Sequence, residues 1–159
     1  MGVRIHVYLS HDLPRFDDAA VTLARLNTAL PMALAVREYW RRIDNNDNEL
    51  DHWRAEPVTP RTPSCRRYEG PGCLWLNVTP AAARIYTGAR WAGFLTIDPL
   101  RQVHLAAFRA IARALGSTTM AVCADARDDV SDVFLEKGSL ADCIAQLKSA
   151  MGPPQTSFN

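Results

Sequence analysis

The stretch WAGFLTIDPLRQVHLAAFRAIARALGSTTMAVCADARDDVSDVFLEKGSLADCIAQLKSAMG (residues 91–152) decides the fold, because its punctuation is legible at nearly every joint. Asp98-Pro99 opens a helix. The aspartate can accept from first-turn N–H groups, and proline follows where its missing donor costs nothing. Leu100, Val103, His104, Ala107, Phe108, Ile111 and Leu115 recur at helical spacing, and Gly116 supplies a left-handed ending. Ahead of this helix Ala89–Ile97 reads as a strand, and behind it Thr118–Ala124 reads as another. Val130–Leu135 is expected as a further strand after the polar turn Asp125–Asp129. Ser139, with Asp142 three residues on, opens a last helix whose buried face is Leu140, Cys143, Ile144, Leu147 and Met151. Gly152-Pro153-Pro154 ends it.

Upstream, Arg4–Leu9 alternates like a strand with one wet face. Asp17–Leu30 fits a helix capped by Asp17 or Asp18, and Pro31 stops or restarts it. Met32–Ile43 carries both a helical stripe and a short alternation, and is taken as helix. Asp44–Glu49 is a polar, solvated turn. Residues 55–72 hold Pro57, Pro60, Pro63, Pro71, Gly70 and Gly72. Such a density argues for a long loop without regular structure, and for a boundary within the single domain expected over 1–159. Cys73–Val78 is expected as a buried strand, followed by Arg84–Thr87 and Ala89–Ile97 turning at Gly88. This order gives an α+β (or α/β) fold: one sheet of about five strands, mostly antiparallel, with helices packed against it.

With 159 residues, 48% hydrophobic and 22% charged, the chain can bury an ordinary core. A net charge of +1 gives no global attraction to nucleic acid or anionic membrane. No uninterrupted apolar run approaches the ~18 residues of a membrane span. The opening Met1-Gly2-Val3-Arg4 lacks a secretory h-region, so the expected location is the cytoplasm.

Motifs for chemistry are not found. Cys65, Cys73, Cys123 and Cys143 form no Cys-x-x-Cys pair. His6, His11, His52 and His104 stand in no zinc-protease pattern, and neither phosphate-loop spacing occurs. Asp125 and Glu136 occupy the first and twelfth places of a calcium-loop window, but Arg127 and Val130 stand where a ligand and a glycine are required. No metal or cofactor is expected, and no catalytic residue is assigned.

The informative feature is charge segregation. Residues 54–90 carry six arginines against two glutamates, a net of +4, whereas residues 117–142 carry two cations against six acids, a net of −4. Three readings stay open. Both patches are solvated surface; or the acidic turn meets a basic partner through Asp125, Asp128, Asp129, Asp132 and Glu136; or Arg66-Arg67-Tyr68 with Trp53 and Trp75 forms an RNA surface. Nucleic acid is the less favoured partner, because the arginines are spread widely.

The features Ile97-Asp98-Pro99, Leu115-Gly116, the acidic turn from Asp125, Gly138-Ser139-Leu140, Cys143-Ile144 and Gly152-Pro153-Pro154-Gln155 together resemble small cytoplasmic immunity proteins of interbacterial-competition systems. The resemblance covers roughly residues 91–155. It implies a non-enzymatic inhibitor that occludes the active site of a cognate toxin domain, often through an acidic surface; no functional residue is carried over from it. The competing class is a small enzyme with a site assembled from distant residues.

Overall fold

The computed structural model describes residues 4–44, 50–58, 64–124 and 141. Six strands form one antiparallel sheet: β1 (Arg4–Leu9), β2 (Arg54–Ala55), β3 (Arg66–Gly70), β4 (Leu74–Val78), β5 (Ala83–Arg90) and β6 (Met120–Ala124), in the order β2-β3-β4-β5-β1-β6. The helices are α1 (Ala19–Leu26), α2 (Leu30–Asp44), α3 (Trp91–Thr96) and α4 (Asp98–Ala114). The fold is therefore α+β as expected, with six strands among the described residues, close to the expected five.

Strand alternation sorts the side chains. Val7 is in register with Ile85 and Val122, and Leu76 with Ile85 and Tyr68. These residues join Leu26, Ala29, Ala33 and Val36 of the α1–α2 segment and Leu105, Phe108 and Ile111 of α4 in one buried cluster. The helices thus cover one face of the sheet. Asp18 caps α1, its Oδ1 accepting from the Val21 N–H at 3.2 Å. A turn of 3-10 helix (Asn27–Ala29) joins α1 to α2, so Pro31 sits in a first turn and breaks nothing. By length and composition alone, Ala19–Ile43 meets the measure for crossing a membrane, as helices of protein cores also do.

α4 follows the sequence reading closely: Leu100, His104, Ala107, Phe108, Ile111 and Leu115 are all buried, and Gly116 turns at φ 66°. One detail differs. Asp98 accepts no capping bond from the backbone; its carboxylate pairs with Arg101 one turn on.

Three expectations are corrected. The stretch 55–72 is not all loop, because the seven residues between Pro63 and Pro71 are free of proline and carry β3, paired along its length with β4. Gly88 is not a turn. β5 runs through it, and the missing Cβ admits the Cys73 Cβ, which would lie 3.3 Å from an added methyl. Ala89–Ile97 is not a strand beyond Arg90. Trp91 and Phe94, three apart, stack their rings at 5.5 Å in α3, and Thr96 Oγ1 donates to the Ala92 carbonyl at 2.8 Å. The expected strand Val130–Leu135 falls outside the described residues, as does the helix from Ser139 apart from Ala141, which is helical.

His104 is fully buried among Tyr39, Trp40 and Phe108. Its Nδ1 lies 2.8 Å from the Leu100 carbonyl, which only accepts, so Nδ1 carries the hydrogen. Nε2 is buried without a hydrogen-bond partner. Burial holds the imidazole below its ordinary value of 6.5, opposed by the smaller effect of the Leu100 bond. Because the folded value is the lower one, the neutral ring contributes stability that is complete above 6.5 and is lost as pH falls toward the folded value. Urea midpoints taken from pH 7.5 down to 5 are expected to fall, with up to about 1.4 kcal/mol per pH unit from this group. His104→Leu removes that component; an unchanged acid slope would refute the assignment.

Candidate binding face on the sheet

The sheet's other face, turned away from α1–α4, assembles side chains from strands far apart in sequence. Pairing sets them in two rows. One runs Arg67, Asn77, Arg84, Tyr8 across β3, β4, β5 and β1; the next runs Arg54, Glu69, Trp75, Tyr86, His6, Cys123 across all six strands. Tyr8 and Asn77 are buried, Trp75 and Tyr86 are half-buried, and Arg54 and Arg67 are exposed.

Trp75 and Tyr86 are directly opposite one another and stack at 5.1 Å with an 11° angle between planes. Cross-strand aromatic pairs of this kind stabilise a sheet surface and hold its shape. His6 closes on the other side of Tyr86 at 6.0 Å. The guanidinium groups of Arg67 and Arg84 each lie 5.8 Å from the centroid of the Tyr86 ring, and Arg67 also donates to the Tyr86 hydroxyl. Glu69 accepts from Arg54 at 2.6 Å, and Glu56 lies 3.5 Å from Arg67. The result is a rigid aromatic centre with a charged rim.

This geometry redistributes the residues expected from sequence. Arg67 and Trp75 do share a surface. Tyr68 and Trp53 do not, being part of the core, and Arg66 sits in register with Val78 on the helix side. Arg84 and Tyr86 complete the cluster. Their signal in the sequence is the alternation Arg84-Ile85-Tyr86 beside Trp75-Leu76-Asn77, which puts polar and amphipathic groups on one side. The acidic candidates Asp125, Asp128, Asp129, Asp132 and Glu136 lie outside the described residues.

The other sequence candidates are accounted for locally. His52 Nδ1 meets Asp51 Oδ1 at 2.7 Å on open surface, and this bond holds the carboxyl below its usual range. His11 Nε2 bonds the Thr79 carbonyl at 2.8 Å, while its Nδ1 accepts from the Leu13 N–H at 3.2 Å, which ties a loop. Burial pushes the Cys65 and Cys73 thiols up, keeping them protonated and poor nucleophiles near neutrality. Among the described residues, no group of three or more His, Cys, Asp or Glu converges to hold a metal. No protein family, curated protein or solved structure matches the chain.

Proposed function

We propose that the chain is an immunity protein, binding a cognate bacterial toxin domain in the cytoplasm and neutralising it by covering its active site. The observation that carries a protein-binding role is the cluster of Trp75, Tyr86 and Arg67 on the outer sheet face. Trp, Tyr and Arg are the residue types that dominate protein–protein hot spots. Here they are already held by stacking and hydrogen bonding, so little side-chain entropy remains to be lost on binding.

The same geometry favours a protein partner over single-stranded nucleic acid. The facing sides of Trp75 and Tyr86 are spent on each other and Arg67 and Arg84 stand over the Tyr86 ring, which reduces the aromatic face left for stacking bases. Glu56 and Glu69 answer Arg67 and Arg54 with negative charge that phosphates would meet. The toxin as partner comes from the resemblance of residues 91–155, and the acidic residues from Asp125 to Glu136 are kept as a second proposed contact.

The test is to mix the protein with the toxin domain encoded beside its gene and follow both complex formation and toxin activity. A stoichiometric complex that suppresses the toxin is expected, with Trp75→Ala weakening it by about 30-fold, or roughly 2 kcal/mol. The paired reversal Asp128→Lys with Asp129→Lys reports on the acidic contact. Failure to bind or protect would sink the immunity reading. Binding that survives Trp75→Ala intact but is lost in the double reversal would move the interface off the sheet face.

A further inference from the structure

Arg109 and Arg113 stand one turn apart on the exposed side of α4 and line a pocket of about 190 Å³ with Ser117, Thr118 and Thr119. Six described arginines sit within 4.0 Å of a described carboxylate; these two do not. Like charges at this spacing destabilise a helix slightly. Arg113, in the last turn, offsets that by facing the negative end of the helix dipole. Arg109 lies a turn too early for the same compensation.

Ala112 and Met120 complete the lining, and the hydrogens of the hydroxyls at and beside the pocket can be assigned by counting. Ser10 Oγ accepts from the N–H groups of Thr118 (2.8 Å) and Thr119 (3.1 Å), which uses both of its lone pairs. Its own hydrogen goes to Ser117 Oγ at 3.1 Å or Thr118 Oγ1 at 3.2 Å. Ser117 in turn donates to the Thr119 carbonyl at 2.8 Å. Within this set the Thr118 hydroxyl therefore has no acceptor left for its hydrogen, and that hydrogen remains as a donor. Asp12, whose carboxylate lies against Gly116, is paired with Arg25.

We propose that this pocket binds a small phosphate monoester, held by the guanidinium groups of Arg109 and Arg113 and by the Thr118 hydroxyl. Two planar guanidinium forks suit a tetrahedral dianion. The volume exceeds what one phosphate group fills, at roughly 30 Å³ per displaced water, and leaves room for the esterified portion. The site is separate from the sheet face and does not depend on the toxin reading.

The test uses inorganic phosphate and phenyl phosphate as probes, titrated into the full chain at constant ionic strength with chloride as the control. The amide resonances of residues 117–120 are the readout. Saturable shifts are expected with both phosphates and not with chloride, tighter at pH 8 than at pH 5 because both probes take their second ionisation between those values, the monoester at about 6. Arg109→Gln with Arg113→Gln is expected to weaken binding at least ~10-fold by removing both charge-assisted contacts. Thr118→Val, an exposed and nearly isosteric change, is expected to weaken it about 3-fold. Shifts that grow linearly, that chloride reproduces, or that persist unchanged in these variants overturn the site.

Discussion

Phe108→Ala is expected to cost about 3–5 kcal/mol of folding free energy, the range for truncating a fully enclosed aromatic ring. Phe108 has no exposed surface and belongs to the cluster shared by α2, α4 and the sheet. Its ring lies 6.0 Å from that of His104, which is itself enclosed by Tyr39 and Trp40. The ring therefore sits where two helices and the sheet meet. Urea unfolding followed by far-UV circular dichroism measures the loss. Arg109→Ala, the next residue and exposed, is the internal control and should change stability by no more than ~0.5 kcal/mol. A Phe108→Ala cost below about 1.5 kcal/mol would mean that α4 does not pack as described.

Gly72→Val carries the second large effect, roughly 2–5 kcal/mol, from two separable causes. The first is conformational. Gly72 has φ 75°, in the left-handed region where an L side chain costs roughly 1–2 kcal/mol and a β-branched one is least tolerated. The second is space. A Cβ there would fall 2.7 Å from Val36 Cγ1 and 3.0 Å from the Arg37 backbone nitrogen. Val36 is buried, and the Arg37 nitrogen belongs to the middle of α2, so neither yields as a flexible side chain would. Forced overpacking of this kind costs about 1–3 kcal/mol. Gly72→Ala keeps the strain and the approach of its Cβ to the Val36 Cβ at 2.9 Å but lacks the two γ-methyls, so it is expected to cost less than Gly72→Val. If Gly72→Val unfolds at the same urea concentration as the parent, the β3–β4 turn does not rest on α2.

These predictions differ in how much of their basis is visible in the sequence. Phe108 is legible because three signals agree: a proline opening, an apolar stripe at helical spacing and a closing glycine. Gly72 is legible only as a turn residue, because its contact with Val36 depends on how a hairpin lies over a helix thirty-odd positions earlier. Local composition misled at two places. Proline density over 55–72 masked β3, although the prolines flank the strand without entering it. Gly88 suggested a turn where its role is close approach to Cys73. The candidate face is harder still to read. Trp75, Tyr86 and Arg67 become neighbours only through the register of β3, β4 and β5, which no single strand's pattern reveals. The charge of the 54–90 segment does not show which of its arginines share a side of the sheet.

The place of β1 has a consequence for how the chain is made. It is the first strand in the sequence, yet it occupies an interior slot between β5 and β6, whose first residues are Ala83 and Met120. Chains are synthesised at roughly 5–20 residues per second, so β1 leaves the ribosome several seconds before either of its partners. Over that interval Ile5, Val7 and Leu9 have both strand edges unpaired. The final sheet can close only when distant segments return to it, a topology that slows folding and lengthens exposure of apolar surface. Aggregation during expression should accordingly depend on conditions that delay completion of β6 more than on the equilibrium stability of the finished fold.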